Sequence, residues 1–467
     1  MKADPRTRRA VMGVVLSIFL GAMESTVVAT AMPKVVGSLG DLHMYSWVFS
    51  GFLLTSTVTM PLWGRLSDLF GRRPTYLAGL TIFLAGSALS GLSRTMLELI
   101  VFRMLQGLGA GSLITIGMTI VGDLFRLERR AKMQGMISAV WGLASLVGPL
   151  LGGLLTDYVS WRWVFYINLP FGALAMWLIG SGLPRGRTTE RTPIVDYAGI
   201  ALFAVGVSAL LLALVEAGRV GAWGGLDVVG PLVVATVTLG AFVSVERRAR
   251  EPMVPLGLFA NRIVLAAIVT GFLAGMAMFG AISFVPLFLQ RVAGTSATVA
   301  GFVLTPFVIG WVSLSAASPR LVLRIGYRSV VFAGMLCLAL AFVLLARWDA
   351  GLTPGAAMSH VLLAGVGMGL NMVPMLIAVQ GAVPRAELGI ATSLTQFFRA
   401  VGGAIGLSVM GAVMAQRLHG GLSPAEALHG VFMAGLVMCL AAVLAAFLVP
   451  PGRAQELARA EPRAAGG

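Results

Sequence analysis

Apolar residues fill this chain in long unbroken runs, separated at short intervals by clusters of arginine, glycine and proline. A run of about 20 apolar residues is long enough to cross a bilayer as a helix. The runs predict spans at 10–32, 45–63, 75–93, 97–121, 134–156, 163–183, 196–216, 226–245, 263–289, 298–318, 328–346, 357–380, 389–415 and 430–449. The fold class expected is therefore an all-α polytopic membrane protein with fourteen transmembrane helices.

Composition supports this and removes the soluble alternatives. The chain is 58% hydrophobic and 11% charged, with a mean hydropathy of +0.91, outside the range of soluble domains. The opening MKADPRTRRA is like the basic start of a signal peptide. However, the first apolar run ends at Pro33 and Lys34 without a small-residue cleavage site, which predicts a retained first span.

The net charge of +15 would suit a nucleic-acid partner, but its distribution points elsewhere. With the N-terminus placed in the cytoplasm, 25 of the 34 Lys and Arg residues fall on that side and seven on the other. The remaining two, Arg103 and Arg399, lie inside spans. This is the asymmetry that orients helices in membranes, and it predicts both termini in the cytoplasm and no nucleic-acid partner. Cys337 and Cys439 both sit in apolar runs, where packing is the expected role. There is no GxxxxGK[ST] phosphate loop and no Cys/His cluster, so neither a metal nor another cofactor is expected. An energy source other than ATP, an ion gradient, is implied.

The chain repeats itself. GRLSDLFGRR at 64–73 matches PRLVLRIGYR at 319–328 in Arg, Leu, Gly and Arg, at an offset of 255, and VGPLLG at 147–152 matches VGGAIG at 401–406 at an offset of 254. Two matches at nearly one offset predict duplicated six-helix bundles, at 1–183 and 262–450. Between them lies a segment, 184–261, holding two additional helices flanked by PRGRTTERTP (184–193) and ERRAREPMVP (246–255), and a cytoplasmic tail follows at 451–467. Parallel repeats of this kind place a substrate site between the halves, near the midplane.

Charge inside a span needs a purpose or a partner, because it costs about 2.5–3.5 kcal/mol or more. Glu24 interrupts the otherwise uncharged run 10–32 and is the one acid deep in any expected span. It extends the small-residue ridge of Gly13, Ser17 and Gly21 toward the bundle interior. A carboxylate can shed its charge by taking a proton, whereas the guanidinium of Arg103 cannot and must be paired or hydrated. Arg103 shares a helix face with Gln106 and Gly107; its candidate static partners are Glu98 or a backbone carbonyl, and its alternative place is beside a proton pathway.

In GRLSDLFGRR, Gly64 and Gly71 permit a tight connection, and Asp68 faces Arg65, Arg72 and Arg73. Such a cluster is either a topology anchor or a latch between two conformations. Gly148, Gly152 and Gly153 around Pro149 offer either ordinary close packing or a contact that slides. Gln106 in the first half and Asn371, Met372, Gln396 and Arg399 in the second, with the stripe of Met276 and Phe279, are candidates for a substrate cavity, and membrane-helix packing is the competing reading.

Several motifs occur together in order. GRLSDLFGRR resembles the inner-loop signature of the major facilitator superfamily, LIVFRMLQGLGAG at 99–111 its fourth-helix motif, and WGLASLVGPLLGG at 141–153 its antiporter motif. MESTVVATAMP at 23–33 and WRWVFYINLP at 161–170 are similar to the 14-helix drug:proton antiporter branch. In that branch an Asp is usual where this chain carries Glu24.

The resemblance implies an exporter in a bacterial inner membrane that exchanges small amphipathic compounds, antibiotics among them, for protons by alternating access. It implies Glu24 as the proton carrier with Arg103 beside it, Asp68 and Arg72 as a latch that favours the outward-open state, and Gly148 to Gly153 as a hinge against proton leak. Small molecules, protons and the lipid bilayer are the expected partners, with the monomer as the functional unit. Export of an endogenous metabolite, lipid or siderophore, a facilitator, and a non-transporting sensor or scaffold are the alternatives.

Overall fold

Asp4 opens the first helix, its carboxylate accepting the backbone N–H of Arg6, with Pro5 at the first helical position, where the missing donor costs nothing. The same chemistry recurs along the chain. Thr95 caps the helix beginning at Met96, Asn261 the helix beginning at Arg262, Thr353 the helix beginning at Pro354, and Ser423 closes a capping box with Glu426. The computed structural model describes residues 4–40, 44–125, 127–184, 196–220, 224–249, 251–295 and 297–451. Nearly all of the linker segment 184–193 and the tail beyond Pro451 thus lie outside the described residues.

Among those residues there are fifteen α-helices: α1 (Pro5–Leu39), α2 (Tyr45–Phe70), α3 (Arg72–Leu92), α4 (Met96–Leu124), α5 (Leu127–Tyr158), α6 (Trp163–Tyr166), α7 (Asn168–Gly182), α8 (Tyr197–Val220), α9 (Leu226–Glu246), α10 (Arg262–Arg291), α11 (Ala297–Phe302), α12 (Thr305–Leu345), α13 (Pro354–Ala382), α14 (Leu388–His419) and α15 (Pro424–Ala445). Ten described stretches are long and apolar enough to cross a membrane, which makes this a multi-span membrane protein.

The helix inventory departs from fourteen separate elements in two places. The expected span 163–183 is divided at Ile167 into α6 and α7. The span expected at 298–318 is divided after Phe302 into α11 and the first part of α12; the rest of α12, beyond a break at Gly326 (φ 82°, ψ 165°), carries the span expected at 328–346. That glycine falls in PRLVLRIGYR at the place where Gly71 (φ 89°, ψ 155°) separates α2 from α3 in GRLSDLFGRR. An L-residue with a side chain avoids positive φ, so both connections rely on glycine.

Buried apolar side chains fall into two large clusters. One is built on α1 to α7, and the other on α10 to α15, with Phe203, Val207, Leu211, Leu214 and Phe242 of α8 and α9 joined to it. The two most extensive seams between them are α2 against α14 and α5 against α12, with α4 also touching α14. By the internal repeat, α2 corresponds to the first part of α12, and α5 to α14, so each seam is the image of the other. α8 also packs on α2 and α14, backing the first seam; the Phe203 ring lies tilted against those of Phe242 and Phe397, 5.3 Å from each, and Ser408 Oγ donates to Leu214 O at 2.6 Å.

Candidate functional site

Glycine lets the helices that hold Glu24 approach closely. At Gly13 any side chain would meet Ile179 and Leu178 of α7, and Gly21 faces Leu113 of α4. Gly152 of α5 allows the same approach to Val27 and Thr30 of α1, while Gly153 has open space around it. Gly148 is buried within α5, and the side chain of Pro149 lies outside the described residues.

α1 thereby delivers Glu24 into the interior of the α1 to α7 cluster, where it and Arg103 are each 1% exposed. The two form an ion pair through Arg103 Nη1 and Glu24 Oε1. The second carboxylate oxygen accepts Asn168 Nδ2 at 2.7 Å, and that amide also donates to Ser87 Oγ at 3.0 Å. Arg103 Nη1 donates to Gln106 Oε1 at 2.8 Å, and the guanidinium lies 4.1 Å from the centroid of the Phe52 ring.

Four segments of chain thus converge on one carboxylate. Burial of both charges is costly, and the pair, the amide and the aromatic face each offset part of that cost. Chemically, Glu24 has two ways to be stable: ionised against Arg103, or carrying a proton once the guanidinium is satisfied elsewhere. Glu98, a candidate partner for Arg103, instead accepts the backbone N–H of Arg94. Asn168 and Ser87 were not singled out in the sequence; Asn168 sits in WRWVFYINLP, and its polarity inside an apolar run was the available signal.

A second cluster sits where α2 turns into α3. Asp68 pairs with Arg72 and accepts the backbone N–H groups of Gly389 and Ile390, at the start of α14, at 2.9 Å each. Arg72 Nε donates to Asp123 of α4 at 2.8 Å, and its Nη2 reaches Arg385 O at 3.5 Å. The cluster therefore spans the α2–α14 seam. It rests on the first-turn amides of α14, which a carboxylate complements.

Gly64 and Gly389 bring the backbones together there. A side chain on Gly389 would meet Gly64 O at 2.5 Å and Asp68 Oδ1 at 2.7 Å. Of the arginines near Asp68 in the sequence, Arg65 turns instead toward Glu251 at 3.9 Å, and Arg73 lies toward Gly180 of α7. The Asp123 partner went unrecognised because it is distant in sequence.

The candidate cavity residues separate into groups. Gln106 belongs to the Arg103 network. Met276 is buried against Gly406, and Phe279 lies against Gly403, at the α10–α14 contact. Gln396 reaches Met118 Sδ of α4 at 2.7 Å, and Gln380 donates to Met118 O at 3.2 Å, so α4 touches α13 and α14 between the clusters. Arg399 is half-buried, with Nη1 3.5 Å from Met372 Sδ. Asn371 is 1% exposed on α13.

Comparison with known proteins adds to this geometry. The family model described as Major Facilitator Superfamily matches residues 14–407. The chain is 43% identical to the multidrug transporter protein MdtP of Bacillus subtilis, over 87% of this chain and 75% of that one. It is 36% identical to multidrug resistance protein 3 of the same organism, over 87% and 79%, and 34% identical to the efflux pump dotC of Dothistroma septosporum, over 87% and 70%. The crystal structure of the human organic anion transporter MFSD10 (TETRAN) aligns with a TM-score of 0.68 at 20% identity, covering 96% of this chain and all of that one.

Proposed function

This chain belongs to the Major Facilitator Superfamily and is a transporter, not an enzyme, and on that premise we propose that it exports small amphipathic compounds from the bacterial cytoplasm in exchange for protons. Export of such compounds is supported by relatives whose names describe multidrug transport and efflux. The observation that carries the proton coupling is the pairing of Glu24 with Arg103 in the interior of one half.

An acid whose neutralising partner is a fixed guanidinium is released for protonation when the helices around it move. Protonation then costs the pair and frees Arg103 to seek another acceptor, so one conformation favours the proton and the other favours the pair. The exchange links the gradient to the rocking of the six-helix halves, with fourteen spans in the inner membrane, both termini cytoplasmic, and the monomer as the unit. The Asp68 cluster ties α2 to α14 at the end that carries the α2–α3 turn. With that end in the cytoplasm, the conformation is closed inward, and the latch holds it there.

Purified protein in liposomes with an imposed pH gradient tests the reading. Wild-type protein accumulates a fluorescent drug against its gradient, Glu24→Asp retains part of the flux, and Glu24→Gln loses the dependence on the pH gradient. Undiminished gradient-driven flux in Glu24→Gln would end the assignment.

A further inference from the structure

Among the described residues Arg399 has no countercharge. Among the described residues the ion pairs are Lys34–Asp157, Arg65–Glu251, Arg72–Asp68, Arg72–Asp123 and Arg103–Glu24, and Arg399 takes part in none of them. The polar contact of its guanidinium is the thioether of Met372, a weak acceptor. A guanidinium does not lose its proton in a protein, so the charge stays and requires water or an anion.

The position of Arg399 says which anion can reach it. Gln396, one helical turn earlier, touches Met118 of α4 in the other half, while the Arg399 side chain runs past Gly275 of α10 to Met372 of α13. Gln396 and Met118 tie α14 to α4 on the side of the α2–α3 turn. Arg399 lies a turn farther toward the opposite end and is half-buried, not sealed. Beside it Met372 supplies a deformable apolar surface. Arg103, the other deep cation, is already neutralised by Glu24.

We propose that Arg399 anchors the anionic group of the exported compound, a carboxylate or sulfonate on a largely apolar body that rests on Met372. This rests on the export reading and narrows its substrate class. The guanidinium fork suits such groups through two parallel N–H donors.

The test is equilibrium binding without any pH gradient, with protein in nanodiscs of zwitterionic phosphatidylcholine. Anilinonaphthalene sulfonate, its uncharged parent phenylnaphthylamine, and cationic ethidium are the probes. Wild-type protein is expected to bind the sulfonate at least about tenfold more tightly than the uncharged parent, the discrimination of one charge-assisted contact. Arg399→Gln erases that difference and leaves ethidium and the parent unchanged, and Arg399→Lys keeps most of it.

Equal binding of sulfonate and parent by the wild type overturns the proposal even if Arg399→Gln fails to fold, as does an equal loss of all three probes in that variant. Repeating the wild-type measurement with anionic phosphatidylglycerol separates a transported anion from a lipid headgroup: abolished sulfonate binding would assign Arg399 to lipid and overturn the proposal. Because no gradient is present, failure here leaves proton coupling standing, and loss of coupling in Glu24→Gln leaves this result standing.

Discussion

Gly71 and Gly326 stand 255 positions apart and share one backbone conformation, φ 89° and ψ 155° in the first, φ 82° and ψ 165° in the second. Each breaks the path between two helices after an arginine-containing segment. The sequence repeat is therefore a repeat of backbone geometry, and the same restriction acts on both copies. An L-residue at such a φ and ψ costs about 1–3 kcal/mol. Gly71→Ala and Gly326→Ala are expected to lower thermal stability in detergent by similar amounts, read as the temperature at which the monodisperse peak is lost on size exclusion. A large loss in one with none in the other would contradict the equivalence.

Removing either member of the Glu24–Arg103 pair is expected to do unequal harm. In Glu24→Gln the guanidinium stays charged inside the bundle, and breaking a buried pair in this way costs about 3–5 kcal/mol. In Arg103→Gln the carboxyl can take a proton, so the loss is smaller. Thermal unfolding of the two variants and of the double variant checks this, with the double variant more stable than Glu24→Gln alone.

The carboxylate of Asp68 accepts two α14 amides as well as Arg72, and hydrogen bonds to a charged group contribute about 1.5–3 kcal/mol each. Asp68→Asn weakens the hold across the seam and shifts the population toward opening at this end. In a background with Cys337 and Cys439 replaced, the buried Ser393 changed to Cys reports the shift. Its labelling by a maleimide is expected to speed up about tenfold or more when Asp68→Asn is added.

Gly389→Ala tests the contact without touching a charge. The added methyl would collide with Gly64 O and the Asp68 carboxylate. Backbone cannot yield as a flexible side chain does, so the α2–α14 seam cannot close fully. The same labelling assay is expected to show faster reaction, and Gly381→Ala, where a side chain meets open space, none.

Much of this was legible in the chain alone, for reasons that differ by feature. Helical spans follow from apolar length, and the repeat from Gly71 and Gly326 in matching segments. Glu24 and Arg103 stood out because charge in an apolar run is rare; their pairing was not legible, since 79 positions separate them. Asp123 escaped notice as a partner of Arg72 for the same reason. Met276 and Phe279 form an apolar stripe, and such a stripe reads alike whether it faces a cavity or, as here, the glycines of a neighbouring helix. The two spans that α12 carries meet at the non-helical Gly326, as the apolar runs predict, whereas the short break between α11 and α12 falls in an apolar stretch that gives no sign of it.

The seating of α8 has a mechanical outcome. Of two seams made alike by duplication, one has a helix hairpin riding on its back, fastened through Phe203 to Phe397 and Ser408 to Leu214. Any hinge stroke at that flank must drag or shear this rider, while among the described residues α8 and α9 make no comparable packing on α5 and α12. Under the proposed rocking of the two halves, α8 and α9 load one of the two seams, so a stroke that begins evenly should finish unevenly, with the α5–α12 flank giving way first.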